Sequence, residues 1–118
     1  MAAEITLYHN PRCSKSRATL ARLEEAGAQV TVVEYLKTPP DGDTLAGILR
    51  ALGMTAHELL RTKEAPYAEL HLGEAGVAEE TVLAALQSHP ILMERPIAVR
   101  GERAVIGRPP ENADTLLD

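Results

Sequence analysis

A single cysteine, Cys13, stands in the stretch His9-Asn10-Pro11-Arg12-Cys13-Ser14-Lys15-Ser16-Arg17, where an alternating apolar run gives way to a helical one. A thiol at a helix start faces the free backbone N–H groups of the first turn, here from Ser14, Lys15 and Ser16, and the positive end of the helix dipole. Both favour the thiolate. Arg12, Lys15, Arg17 and His9 add basic side chains, which lower a thiol further from its reference pKa of about 8.5. The same N–H groups make the loop a place for an oxyanion. The chemistry implied is attack by a thiolate on an oxyanion held against it. A Cys-x5-Arg phosphatase loop is excluded, because the arginine position is Thr19. Ser16 lies three residues after Cys13, where dithiol redox motifs carry a second thiol. Its hydroxyl can donate to a thiolate but cannot form a disulfide.

The elements around this loop follow from periodicity. Ile5 and Leu7 alternate with Thr6 and Tyr8 as a first strand, broken at Asn10-Pro11. Leu20, Leu23 and Ala26 or Gly27 mark one face of a helix from Ser14, with Gly27 as its stop. Val30, Val32 and Val33 predict a second, buried strand. A strand–helix–strand unit of this length makes the two strands parallel. After Thr38-Pro39-Pro40-Asp41-Gly42, with Asp43 or Thr44 as cap, Leu45, Ile48, Leu49 and Leu52 line a helix ended by Gly53. Thr55 and Glu58 have capping-box spacing. Residues 78–87 read as another helix, stopped at His89-Pro90. Ile97 and Val99, then Val105, flank Gly101-Glu102, a pair suited to a II′ hairpin turn, and Pro109-Pro110 opens a last short helix. The order is β-α-β, a helical insertion over about residues 41–90, then β-β-α: an α/β thioredoxin-like fold in one domain, 1–118.

Composition narrows the function. The chain has 118 residues, net charge −5 and no Phe or Trp. An acidic, aromatic-poor surface argues against nucleic-acid binding and against anionic membranes. No stretch approaches the roughly 20 apolar residues of a membrane span, and no secretory signal is visible, which predicts a cytoplasmic protein. One cysteine cannot build an internal disulfide or a Cys-rich metal site, so no metal is expected.

Four blocks, YHNPRCSKSR at 8–17, LRTKEAPY at 60–67, HPILMERPI at 89–97 and IGRPPE at 106–111, together resemble the glutaredoxin-coupled arsenate reductase family over nearly the whole chain. The resemblance implies Cys13 as nucleophile, His9 as the active-site histidine and Arg61, Arg95 and Arg108 as the oxyanion-binding arginines. It places Pro96 where thioredoxin-like folds put a cis proline facing the cysteine loop. Arg22, Arg50, Arg100 and Arg103 match no such position and read as surface charges. The implied reaction is reduction of arsenate to arsenite with glutathione as co-substrate and glutaredoxin as partner, with no bound cofactor. Many of these reductases read Cys-Gly-Thr-Ser where this chain reads Cys13-Ser14-Lys15-Ser16. That difference keeps open a thiol-dependent reductase of another small substrate. A third reading, a redox-linked regulator binding RNA polymerase, belongs to a related branch carrying Cys-x-x-Cys, and Ser16 argues against it.

Overall fold

A computed structural model describes residues 2–118. The expected order is present: β1 (Glu4–His9), α1 (Ser14–Glu25), β2 (Gln29–Glu34), α2 (Gly42–Leu52), α3 (Ala65–Glu69), α4 (Glu79–Ser88), β3 (Ile97–Arg100) and β4 (Arg103–Ile106). Short 3₁₀ segments cover His57–Leu59, Pro90–Leu92 and Pro110–Leu116, the last in place of a terminal α-helix. The sheet runs β2-β1-β3-β4. β1 and β2 are parallel, with Leu7 opposite Val32 and His9 opposite Glu34; β3 is antiparallel to β1 and to β4.

The period-two alternation of the strands divides the core in two. Ile5, Leu7 and Ala98 pack with Leu23 of α1 and with Ala113 and Leu116 of the last 3₁₀ segment. Tyr8 and Ile97 point the other way, into Leu45, Ile48, Leu59, Val82 and Leu92 of the helical insertion. Gly101 takes φ +61 while Glu102 does not share a positive φ, as the II′ turn joining β3 to β4 requires.

Three local expectations are corrected. β2 is not a buried strand but the edge of the sheet, with Val32 42% exposed, because nothing pairs beyond it. The buried face of α1 is Ser16, Thr19 and Leu23, while Ala26 is exposed. Polar residues enter that face because Thr19 Oγ1 donates to the Lys15 carbonyl at 2.8 Å and Ser16 is bonded within the cysteine loop. The cap of α2 is Asp41, whose carboxylate accepts from Thr44 N–H at 2.8 Å, rather than Asp43 or Thr44. Thr55 and Glu58 do form a reciprocal capping box, at the 3₁₀ segment that follows.

Candidate active site

Cys13 occupies the cap position of α1 in extended conformation, so the first turn opens toward its side chain. Its N–H donates to the Asn10 carbonyl at 3.0 Å, and its own carbonyl accepts from Arg17 N–H. The thiol is partly exposed. Burial works against its ionisation, but the Ser16 and Lys15 N–H groups and the Arg95 guanidinium outweigh it and hold the pKa below the usual thiol value.

The cations acting on the sulfur come from distant segments, not from the loop. Arg17 turns to the Pro11 carbonyl at 2.9 Å, and Lys15 contributes its backbone N–H rather than its ammonium. Arg108 Nη1 stands 4.0 Å from Cys13 Sγ. Arg61, Lys63, Arg95 and Arg108 line one cavity of about 330 Å³ together with Glu94.

Backbone ties deliver these arginines. Arg61 N–H donates to the Leu92 carbonyl at 2.7 Å and Glu94 N–H to the Leu59 carbonyl at 3.0 Å, around a bridge between Leu60 and Met93. Arg61 and Arg95 are thereby set side by side. Gly107 N–H donates to the Pro96 carbonyl at 2.9 Å, which fixes Arg108 beside Arg95. Gly107 is the residue that permits this approach: a Cβ there would lie 2.5 Å from Thr19 Oγ1 and 2.9 Å from Pro96 Cγ. The Arg95–Pro96 and Arg108–Pro109 peptides are both cis.

Two carboxylates pair with these arginines, Glu94 from the cavity wall, and neither is a candidate from the sequence. Glu64 pairs with Arg61 at 2.9 Å. Glu94 accepts from both the backbone N–H and the Nη1 of Arg95 at 3.2 Å and faces Arg108 Nε at 4.0 Å. An i,i+3 spacing hints at the first pair and adjacency at the contact of Glu94 with Arg95; only the approach of Glu94 to Arg108 depends on folding.

His9 and Ser16 do not act on the sulfur through their side chains. The two share a 2.6 Å hydrogen bond between His9 Nδ1 and Ser16 Oγ, and Ser16 Oγ also accepts from Asn10 N–H at 3.0 Å. Burial, helped by Arg17 and opposed by Glu34, keeps His9 below the usual imidazole range. A neutral imidazole supplies no positive charge; it buttresses the loop whose Ser16 N–H meets the thiolate. Arg100 and Arg103, read as surface charges, instead tie down the C-terminal segment: Arg100 Nη1 donates to the Leu116 carbonyl at 2.6 Å and Arg103 Nη1 to that of Thr115 at 3.2 Å. Arg22 forms a fork with both Asp114 oxygens at 2.7 Å. Among the described residues, no group of three or more His, Cys, Asp or Glu is placed to hold a metal, and no helix is long and apolar enough to cross a membrane.

The arrangement is a nucleophilic sulfur beside a cluster of planar cationic forks, suited to a small oxyanion. The ArsC family model matches residues 8–116. The Escherichia coli protein YfgD is 51% identical over 112 residues, covering 94% of either chain. An arsenate reductase of Neisseria meningitidis serogroup A is 45% identical over 115 residues, covering 97% of this chain and 98% of its own. Among solved structures, an arsenate reductase from Vibrio cholerae superposes with a TM-score of 0.95 at 42% identity, over 99% of this chain and 100% of that one.

Proposed function

The chain belongs to the ArsC family, the arsenate reductase family, and from that premise we propose that it reduces arsenate to arsenite with glutathione and glutaredoxin, in a reducing compartment such as the cytoplasm. The observation that carries the proposal is the approach of Arg108 to Cys13, 4.0 Å from Nη1 to Sγ, beside Arg95 and Arg61. Arg61, Arg95, Arg108 and the N–H groups of Lys15 and Ser16 hold the anion. The Cys13 thiolate attacks arsenic and one oxygen leaves as water after protonation. Glutathione then supplies the second thiol. Both sulfurs are oxidised by one electron each, arsenic accepts the pair, arsenite departs and Cys13 is left in a mixed disulfide with glutathione. Glutaredoxin reduces that disulfide. Arsenic acid and two thiols thus give arsenous acid, water and one disulfide, which balances.

The test is arsenate turnover coupled to glutathione and glutaredoxin. Cys13→Ser should abolish it. Arg108→Lys keeps the charge but loses the fork, and kcat/KM should fall by about tenfold or more. Arg103→Lys lies away from the cavity and should leave turnover unchanged. Turnover of another small oxidised substrate with glutathione, and none with arsenate, would overturn the reading.

A further inference from the structure

β4 is the second edge of the sheet, opposite β2. An edge strand turns half of its backbone groups away from the ladder, and the hairpin fixes which half. The two-residue turn at Gly101-Glu102 makes Arg100 and Arg103 a hydrogen-bonded pair, and Gly107 N–H on the Pro96 carbonyl has the same parity. Val105 therefore bonds to Ala98, while Ala104 and Ile106 turn both N–H and C=O outward. Asn112 Nδ2 takes the Ile106 carbonyl at 3.2 Å. Among the described residues, the Ala104 N–H and C=O and the Ile106 N–H find no partner.

This edge lines a cavity of about 590 Å³, larger than the arginine cavity. Leu52 and Met54, from the end of α2, form one wall; Asn112 and Thr115, from the last 3₁₀ segment, form the other. The two walls arise because α2 and that segment pack on opposite faces of β4. Glu94 and Arg108 belong to both cavities, which meet at these side chains, and Arg108 Nη1 stands 4.0 Å from Cys13 Sγ. An edge strand with free N–H and C=O groups takes an extended peptide by strand addition. From Ala104 to Arg108 the groove floor runs roughly 14 Å, at about 3.4 Å per residue, which is room for a tripeptide. Glu58 stands on the wall; its Oε1 is engaged by Thr55 and its Oε2 has no partner among the described residues, so it is open to an ammonium.

We propose that this groove binds the peptide part of glutathione as an added strand on β4, with its sulfur at the Arg108 end and its ammonium at Glu58. The inference rests on the reading of glutathione as the second thiol of the cycle. A chain with one cysteine must take its second sulfur from outside and set it against the first. Arg108 stands where the two sulfurs meet, and a cation beside an incoming thiol favours its thiolate. The oxyanion enters by the arginine cavity and the thiol along β4, so neither leaves to admit the other. A second copy of the chain fits the groove less well, because β4 has four residues and a wall on either face.

The experiment is disulfide exchange at Cys13 in the full chain, without arsenate, using glutathione disulfide and bis(2-hydroxyethyl) disulfide, which has no peptide groups. Attack by the Cys13 thiolate forms a mixed disulfide and releases one thiolate of the reagent, and mass spectrometry follows the rate. Ala104→Pro removes an outward N–H and no ladder bond, a change that edge strands tolerate. It should slow exchange with glutathione disulfide about tenfold, the loss of one hydrogen bond, and leave the rate with the other reagent unchanged. Glu58→Gln keeps the capping box with Thr55 and loses the charge, and should give a selective loss of about threefold. Ala104→Pro decides if its thermal midpoint matches wild type; Glu58→Gln decides if it does not. A selective loss supports the proposal. An unchanged rate with glutathione disulfide, or an equal loss with both reagents, overturns it. A wild-type dimer that Ala104→Pro dissociates assigns the edge to a second copy and also overturns it. The oxyanion reading fails separately: absence of arsenate turnover by wild type overturns that reading, while the exchange rates still decide the groove.

Discussion

Cys13 is activated by geometry that the local sequence only half reveals. The helix start was legible, because Asn10-Pro11 breaks the strand and the period changes after it. The identity of the cation was not: Arg12, Lys15 and Arg17 are near in sequence, yet Arg95 is the charge that acts on the sulfur. The iodoacetamide labelling midpoint should therefore lie below the free-thiol value of about 8.5. Arg95→Gln should raise it, and Arg12→Gln should leave it in place. A native thiol that ionises early contributes stability that is complete above the unfolded pKa and is lost as pH falls toward the native one. The stability difference between wild type and Cys13→Ser, read by urea denaturation, should thus widen as pH rises from neutral to about 9. His9 has the same sign for a different reason: burial disfavours its cation. Its contribution is complete above about 6.5 and is lost as pH falls below that. Ser16→Ala strips a partner from His9 Nδ1 and from Asn10 N–H. It should cost about 1–3 kcal/mol near neutral pH, measured in the same urea experiment. Glu94 carried no clear sequence signal, because an acidic residue next to an arginine is ordinary until its approach to Arg108 is known.

At the scale of elements, the strands and the longer helices were readable from alternation and from Gly and Pro breaks. What escaped was which strand lies at an edge. Val30, Val32 and Val33 form a β-branched run whether or not a neighbour covers them, and strand order is set by distant pairing. The polar buried face of α1 escaped for a related reason. Thr19 is buried because Gly107 lets β4 end against it, a contact between residues far apart in sequence. Gly107→Ala should force Thr19 or Pro96 to give way, costing about 1–3 kcal/mol. Because Gly107 precedes Arg108, the same change should raise the arsenate concentration that protects Cys13 from iodoacetamide. Thermal denaturation and the protection assay read the two effects separately. Loss of stability with unaltered protection would show that Arg108 is placed independently of this contact.

Taken whole, the molecule is acidic, with a net charge of −5, yet it gathers Arg61, Lys63, Arg95 and Arg108 about one cavity. A local positive field on an acidic body draws a small anion without inviting polyanions. In the proposed cycle the single cysteine sets the redox stoichiometry, since one sulfur in this chain cannot supply both electrons. After one turnover with arsenate and glutathione, mass spectrometry should find the Cys13 peptide heavier by about 305 Da, the increment of one glutathione in disulfide linkage. A dimer through Cys13 without glutathione would contradict the proposed cycle. The overall fold was legible because it rests on element order. The site was legible only through four sequence blocks whose residues meet across β1, the ties between 59–61 and 92–94, and the contact of Pro96 with Gly107.

In the proposed reaction Glu94, lying between Arg95 and Arg108, is an internal competitor for the forks that an incoming anion would use. Binding becomes an exchange of one anion for another, and an uncharged molecule has no means to win it. In the proposed reaction the substrate arrives as an anion and the product, arsenous acid, is neutral near physiological pH. The carboxylate can then reclaim its guanidiniums as soon as the product forms, and so help to expel it. Glu94→Gln should accordingly make arsenite a stronger product inhibitor in the coupled assay, with turnover slowing as arsenite accumulates.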